Sequence, residues 1–206
     1  MASDRFIKNI AFFGFSDFKK ESEEYKQAFG VAQNLAKKRY TIVNGGGPGI
    51  MDASTQGAES VGGETLAITF SPKDAPGFEG RYVANRADKE IKTGNYIERM
   101  FKLLEHADCF IFFKGGTGTI SELGTTWVLA RLYYPHYKPF ILYGKFWKPI
   151  IEVLKAEMKI RKEGFKVFKI VESQEEVVKA IKEFEKEMAG FNHEHCKICK
   201  EKAFMT

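Results

Sequence analysis

The sequence predicts an α/β fold with a doubly wound parallel sheet and helices on both of its faces. Two patterns indicate this class. Short apolar runs alternate with longer amphipathic stretches along most of the chain, as in sheets whose strands are joined by helices. Several runs, such as residues 10–14 and 109–113, are apolar at nearly every position, which is typical of strands buried on both faces.

The same patterns predict the order of the elements. The apolar runs predict strands at residues 10–14, 41–43, 65–69, 109–113, 140–143 and 167–171. The amphipathic stretches predict helices near 22–39, 49–61, 94–106, up to about 133, 148–162 and 174–188. Residues 70–92 carry prolines and glycines and are predicted to be irregular, which is typical of a lid or binding loop.

We interpret residues 1–189 as a single domain and residues 190–206 as a tail. The chain has 206 residues, 44% of them hydrophobic and 29% charged, which is ordinary for a globular protein. Ser173 to Glu176 reads as a capping box that begins the last helix.

Charge and cysteine content restrict the partners that we expect. The net charge is +5, and Lys and Glu are interspersed along the predicted helices, so we expect no nucleic-acid partner. A small positive excess still suits a small anionic ligand. The sequence shows no apolar stretch that would span a membrane, no signal peptide and no disulfide framework. We therefore expect a cytoplasmic protein with no membrane partner.

Two glycine-rich loops carry the functional signal. Residues 45–49 read Gly-Gly-Gly-Pro-Gly, and residues 115–119 read Gly-Gly-Thr-Gly-Thr. Each loop follows an apolar strand and precedes a helix, where backbone N–H groups and the helix dipole favour a phosphate. The alternative for either loop is a tight turn between strand and helix. The glycine fingerprint of dinucleotide-binding proteins is missing after the first strand, and neither loop is followed by the lysine of a triphosphate hydrolase.

Both loops resemble the motifs of one family. Residues 45–53 resemble the GGGxxGxMxA signature of the LOG family, the cytokinin riboside 5′-monophosphate phosphoribohydrolases, formerly labelled lysine decarboxylases. Residues 115–122 resemble its PGGxGTxxE motif, and the similarity runs from about residue 7 to 181. The resemblance implies a Rossmann-like nucleotide-binding domain, a homodimer, and cleavage of a nucleoside 5′-monophosphate into free base and ribose 5-phosphate. That reaction requires no cofactor, and no lysine stands in a context that suggests a decarboxylase.

The resemblance also assigns residues to the site. It places the catalytic pair on Glu122 and Arg99. The nucleotide-binding residues it implies are Gly115, Gly116, Thr117, Gly118 and Thr119 in the phosphate loop, with Gly46, Gly47, Gly49 and Met51 on the opposite wall. Two positions depart from the family pattern, because Lys114 replaces a proline and Met100 replaces a lysine that would add a cation to the site. The spacing also departs from it, because the Thr-Thr-Trp of residues 125–127 stands two residues earlier than the usual Thr-Trp of the family.

The two catalytic candidates also have structural interpretations. A carboxylate can stabilise an oxocarbenium-like state and activate water, but Thr119 to Glu122 also reads as a capping box. Arg99 taken alone is an exposed arginine beside the apolar face formed by Ile97, Met100, Phe101 and Leu104. With the family likeness it would bind phosphate or keep Glu122 ionised.

The alternatives differ in function as well. Lys114 could contact phosphate or lie in solvent. A non-catalytic nucleotide or cofactor carrier on the same fold, as in the related molybdenum-cofactor carrier proteins, is the alternative to the hydrolase. The tail residues His193, His195, Cys196 and Cys199 suggest zinc, although they are crowded, and the alternative is a tail with free thiols. Cys109 is expected in the core.

Overall fold

The computed structural model describes residues 6–71 and 80–190, which form a seven-stranded parallel sheet covered by six helices. The strands are β1 (Asn9–Phe13), β2 (Thr41–Asn44), β3 (Thr65–Phe70), β4 (Lys89–Thr93), β5 (Cys109–Phe112), β6 (Phe140–Tyr143) and β7 (Phe168–Val171). The helices are α1 (Glu23–Lys37), α2 (Ile50–Glu59), α3 (Tyr96–His106), α4 (Thr117–Leu132), α5 (Trp147–Glu157) and α6 (Gln174–Ala189), with a 3-10 turn at Lys162–Phe165.

The strand order β4-β3-β2-β1-β5-β6-β7 reverses direction at β1. β1 pairs with β2 on one side and β5 on the other, and every pairing in the sheet is parallel. The connections therefore leave the carboxyl ends of β1 and β5 in opposite directions and open a crevice there, which is where ligands bind in sheets of this class. The predicted doubly wound fold is confirmed.

Two hydrophobic layers enclose the sheet. Helices α1, α2 and α6 cover one face, and α3, α4 and α5 cover the other. Neighbouring phenylalanines of the central strands point to opposite layers: Phe12 stacks on Phe113, with ring centroids 5.7 Å apart, and Phe13 stacks on Phe112 at 5.0 Å. This double burial explains the uninterrupted apolar runs, and Cys109 is fully buried among them, as expected.

One strand contradicts the sequence prediction. The irregular segment was expected to continue to residue 92, but residues 89–93 form β4 at the edge of the sheet, in parallel register with β3. Three of the five residues of β4 are charged, because an edge strand is half solvated. β4 therefore has no apolar run from which the sequence could predict it. The Asp88 carboxylate anchors its start, accepting hydrogen bonds of 2.8 Å from the Thr65 backbone N–H and hydroxyl.

The predicted N-cap of the last helix is confirmed, since the Ser173 hydroxyl accepts a hydrogen bond from the Glu176 N–H at 3.1 Å. The Glu176 carboxylate accepts the Glu172 N–H at 2.7 Å, so the reciprocal bond lies one residue before the one that a capping box requires. Ser22 and Asn95 cap α1 and α3 in the same way. Across residues 6–71 and 80–190, none of the helices has the length and apolar character needed to cross a membrane.

Buried titratable groups predict a loss of stability in alkali. Burial raises the pKa of the Cys109 thiol and of the Tyr25 and Tyr137 hydroxyls. A raised pKa in the folded state contributes stability below the ordinary value, 9.0 for cysteine and 10.0 for tyrosine, which is lost as pH rises above it. Lys138 acts in the opposite direction, because burial lowers its pKa to about 8 from 10.5.

We therefore expect Lys138 to raise stability from about pH 8 to 9, Cys109 and Lys138 to offset one another from about pH 9 to 10, and the tyrosines to dominate above pH 10. Above that pH the free energy of unfolding should fall by about 1.4 kcal/mol per pH unit for each buried tyrosine. The melting temperature, measured by circular dichroism, should fall with it. Tyr137→Phe should make the fall shallower. A melting temperature that stays constant through this range would contradict the prediction.

Candidate functional site

A cavity of about 710 Å³ opens at the carboxyl ends of β1 and β5. Its walls come from the end of β1 and the loop after it, from the first glycine loop and α2, and from the starts of α3 and α4. The lining residues are Phe12, Phe13, Gly14, Phe15, Ser16, Asp17, Gly45, Met51, Tyr96, Arg99, Gly116, Thr117, Gly118, Thr119, Ser121 and Glu122.

The N-terminus of α4 faces this cavity without a cap. Gly116 is the N-cap residue, and no side chain accepts a hydrogen bond there. The first turn of a helix has no intrahelical acceptors for its N–H groups, and the helix dipole adds positive potential. The turn Thr117 to Thr119 therefore presents backbone N–H groups at the cavity wall, an arrangement that suits an anion.

Glu122 lies one turn further along α4 and lines the same cavity, with 8% of its surface exposed. The capping-box interpretation is wrong, because the N-cap residue of α4 is Gly116 and not Thr119. Thr119 and Glu122 are three residues apart within the helix and therefore lie on neighbouring positions of one face. Glu122 is therefore not part of a cap, and it lines the same cavity as the N-terminus of α4.

Arg99 is buried, with only 4% of its surface exposed, so the interpretation of it as an exposed arginine is wrong. Its Nε donates to the Ile68 carbonyl at 3.2 Å, and its Nη2 lies 3.4 Å from the Met51 sulfur. The guanidinium also lies over the Phe70 ring, 5.9 Å from the centroid.

The helical-face reasoning failed because the buried face of α3 differs from the one expected. Arg99, Met100, Leu103 and Leu104 are buried, whereas Ile97 and Phe101 are exposed. The long arginine side chain reaches the carboxyl end of β3, a destination that lies outside the helix and that periodicity does not reveal.

The first glycine loop is held by its neighbours and forms the opposite wall. The Gly46 N–H donates to Asn44 Oδ1 at 2.8 Å, and Asn85 Nδ2 donates to the Gly47 carbonyl at 3.0 Å. Gly45 and Met51 line the cavity, whereas Gly46 and Gly47 do not. These two glycines therefore shape the wall through backbone hydrogen bonds.

Arg81 fastens this loop from the edge of the sheet. Its Nη1 donates to the Gly46 carbonyl at 3.2 Å, and its Nε lies 3.2 Å from Glu90 Oε1 on β4. The Thr69 hydroxyl donates to the same carboxylate at 2.6 Å, and this bond, together with Arg81, lowers the pKa of Glu90. The edge strand that the sequence did not reveal thus supports the site indirectly.

The two departures from the family pattern lie off the cavity surface. The Lys114 side chain is largely exposed, and its Nζ lies 4.0 Å from Glu24 Oε1. Met100 is buried between α3 and α4, with its sulfur 3.8 Å from the Ser121 hydroxyl and 3.7 Å from the Thr125 hydroxyl. Neither residue lines the cavity.

Sequence reasoning missed the loop after β1 and one aromatic residue. Phe15, Ser16 and Asp17 line the cavity, as does Tyr96 at the start of α3. The position of residues 14–17 after the central strand was the available signal, because ligands bind at the carboxyl ends of such strands. The proposed zinc ligands His193, His195, Cys196 and Cys199 lie outside the described residues. Within residues 6–71 and 80–190 there is no group of three His, Cys, Asp or Glu side chains suited to a metal.

The two glycines of the phosphate loop should respond differently to a methyl group. A Cβ on Gly115 would lie 2.0 Å from Thr119 Oγ1, whereas a Cβ on Gly116 would meet no heavy atom within 4 Å. We expect Gly115→Ala to lower the free energy of unfolding by about 1–3 kcal/mol and to weaken binding of inorganic phosphate, because Thr119 must move. Gly116→Ala should leave stability nearly unchanged. Urea denaturation measures the stability of each variant, and calorimetric titration measures its binding of phosphate. Equal stability of the two variants would show that the close approach of Gly115 to Thr119 is unimportant.

Fold and site together define a doubly wound α/β protein whose central cleft combines an uncapped helix N-terminus, a carboxylate and a buried arginine. A family model described as the SLOG cluster4 family matches residues 8–163. The chain belongs to the SLOG cluster4 family, and this confirms the likeness to LOG proteins seen in the two glycine motifs.

Two curated proteins are similar in sequence. An uncharacterized protein of Archaeoglobus fulgidus is 35% identical over 103 residues, 50% of this chain and 64% of that protein. The cytokinin riboside 5′-monophosphate phosphoribohydrolase LOG5 of Arabidopsis thaliana is 33% identical over 127 residues, 60% of this chain and 52% of LOG5. The chain therefore matches less than two thirds of the length of either relative.

Solved structures share this fold over most of the chain. The X-ray structure of TM1055 has a TM-score of 0.64 and 25% identity, and the match covers 86% of this chain and 99% of that one. The molybdenum cofactor binding protein of Rippkaea orientalis has a TM-score of 0.63 at 22% identity, with 86% and 95% covered. The Moco carrier protein of Chlamydomonas reinhardtii has a TM-score of 0.60 at 18% identity, with 86% and 97% covered. At these identities the last two establish the fold alone.

Proposed function

We propose that this protein hydrolyses the N-glycosidic bond of a nucleoside 5′-monophosphate, releasing the free base and ribose 5-phosphate. One observation carries the proposal: Glu122 lies one turn beyond the uncapped N-terminus of α4, and both face the same cavity. A phosphate bound at Thr117 to Thr119 would bring the attached ribose towards the Glu122 carboxylate.

The proposed chemistry follows from that placement. The bond between C1′ and the base nitrogen breaks, its electron pair goes to the base, and C1′ acquires oxocarbenium character. The Glu122 carboxylate stabilises this cation and accepts a proton from the water that adds to C1′. The base nitrogen takes up one proton and Glu122 releases the one that it accepted, so the reaction consumes one water and requires no cofactor.

Arg99 supplies positive charge on the facing wall. It is buried, and its guanidinium is held by the Ile68 carbonyl and the Phe70 ring. A buried cation in the cavity wall favours both a bound phosphate and an ionised carboxylate. This is the role we propose for it, and it agrees with the pairing that the family likeness implies.

The residues that line the cavity after β1 and at the start of α3 suit a nucleobase. Phe15 and Tyr96 are aromatic residues that line the cavity, and the polar residues Ser16 and Asp17 line it beside Phe15. Aromatic rings can stack on any of the nucleobases. The relationship to LOG5, whose name states this activity, adds support from one half of that protein's length.

The test is a panel of nucleoside 5′-monophosphates, each paired with the nucleoside that lacks the phosphate. Chromatography should detect free base from at least one monophosphate, and far less from its nucleoside, because the α4 donors bind the phosphate. No release from any compound at high enzyme concentration would refute the hydrolase. Tight binding without turnover would favour the alternative, a nucleotide or cofactor carrier.

We also propose a homodimer formed through α3 and α4. The two helices pack together at Met100, and both expose large apolar side chains: Ile97 and Ile120 are 55% and 63% exposed. Phe101 adjoins Ile97 one turn along α3. An apolar surface of this kind is typical of an interface between subunits.

Ile120→Asp should convert the dimer to a monomer, because an isologous contact places the new charge twice in one apolar surface. Light scattering after gel filtration measures the mass. Val153→Asp is the matched control, since Val153 on α5 is exposed to a similar degree. A wild-type protein that is monomeric at micromolar concentration would exclude the dimer.

A further inference from the structure

A second cavity, of about 310 Å³, lies between the C-terminal half of α4 and the segment that follows α5. Trp127, Val128 and Arg131 line it from α4, and residues 159–161 and Gly164 line it from the other side. None of its residues lines the Glu122 cavity. The proposed reaction leaves this cavity unused.

Three cations surround the cavity: Arg131, Lys159 and Arg161. Within the described part of the chain, none of the three lies within 4.0 Å of a carboxylate, whereas Lys169, for example, contacts both Glu183 and Glu187. Three such charges around one concave surface produce a positive potential that favours an anion.

The floor of the cavity is aromatic and rigid. Trp127 Nε1 donates to the Gly164 carbonyl at 2.6 Å, and the indole meets Phe165 and Phe168 edge to face, with centroids 5.9 and 5.4 Å apart. These contacts hold the ring in one orientation. A planar apolar group can therefore pack against it without ordering the side chain first.

Gly164 keeps this floor open. A Cβ at that position would lie 3.0 Å from Ile160 Cγ2 and 3.3 Å from Trp127 Nε1, closer than side chains normally approach. Arg131 Cγ is also near, at 3.7 Å. A residue larger than glycine would therefore crowd the tryptophan and the cavity together.

We propose that this second cavity binds a small organic anion, with a flat apolar body against Trp127 and a carboxylate or phosphate held by Arg131 and Arg161. Guanidinium groups bind both kinds of anion through paired hydrogen bonds, and a cavity of this size is at the lower end of those that hold small ligands. The site is separate from the Glu122 cleft, so the two can be occupied independently.

The two tryptophans of the chain provide the experiment. In a proton–nitrogen correlation spectrum of the full-length protein, the Trp127 indole N–H reports on this cavity. The Trp147 indole is buried and donates to the Phe112 carbonyl at 3.1 Å, so it serves as an internal reference. The probes are naphthalene-2-carboxylate and its neutral amide, which share a shape and differ in charge. We expect the carboxylate to shift the Trp127 signal saturably, with an affinity about ten-fold above that of the amide.

Three variants test whether the probes bind in this cavity and through these cations. Arg161→Gln should weaken binding of the carboxylate probe about ten-fold, and Gly164→Ala should weaken binding of both probes. Lys162→Gln, which removes a neighbouring cation that does not line the cavity, should change neither. Equal affinity for the two probes, no effect of Arg161→Gln, or a Trp127 signal that shifts with protein concentration instead of with probe would each overturn the proposal. The last result would identify a second copy of the chain as the occupant.

Discussion

Glu122→Gln should lower the turnover of any nucleoside monophosphate that the protein hydrolyses by about 10²- to 10⁴-fold. The amide keeps the size of the side chain but can neither accept a proton from water nor stabilise a developing cation. The loss should therefore appear in kcat. The KM should change little, because the phosphate donors at Thr117 to Thr119 are untouched.

The buried position of Glu122 makes the comparison informative. The substitution removes one charge from a site that is 8% exposed, so its stability must be checked by thermal melting before activity is compared. Glu157→Gln on α5 provides the matched control, because it makes the same chemical change on an exposed helix surface. Turnover by Glu122→Gln that stays within a few-fold of wild type would remove Glu122 from the mechanism and favour the carrier alternative.

Gly49→Ala should destabilise the protein by about 3–4 kcal/mol, the combined cost of a disfavoured backbone and a steric overlap. Gly49 has φ +63° and ψ −125°, a combination that residues with a Cβ rarely adopt. A Cβ there would also lie 2.3 Å from the Phe15 carbonyl oxygen and 2.5 Å from that of Ser16. The first of these oxygens accepts the Ile50 N–H at 3.1 Å, so the two loops cannot separate without breaking that bond.

Gly62→Ala separates the two costs. Gly62 has φ +67°, but a Cβ there would meet no heavy atom within 4 Å, so we expect it to lose only about 1–2 kcal/mol. Urea denaturation of both variants measures the difference. Gly49→Ala should also impair the site, since residues 15–17 line the cavity. Equal losses in the two variants would show that the close approach of the loops contributes nothing.

Much of the site can be predicted from the sequence, for a physical reason. Phosphate loops are local: the glycines, the uncapped helix N-terminus and Glu122 lie within eight residues of one another. Their chemistry depends on spacing along one helix, which sequence records directly. The residues missed or misjudged, Asp17, Tyr96 and Arg99, reach the cavity from other elements.

The amino-acid pattern by itself determined the parallel sheet, because strands buried on both faces must be apolar at every position, and it determined the glycine loop before α4, because a helix N-terminus is a local feature. Tertiary structure alone decided the rest. β4 forms because β3 offers an edge to a half-solvated, charged segment. Arg99 is buried because the carboxyl end of β3 lies within its reach. Glu122 is not part of a cap, because α4 begins three residues before the helix start that the capping pattern required. β4 and Arg99 depend on partners that are distant in the sequence, and the role of Glu122 depends on where α4 starts. The hydrophobic periodicity of the chain predicts neither the distant partners nor the helix start.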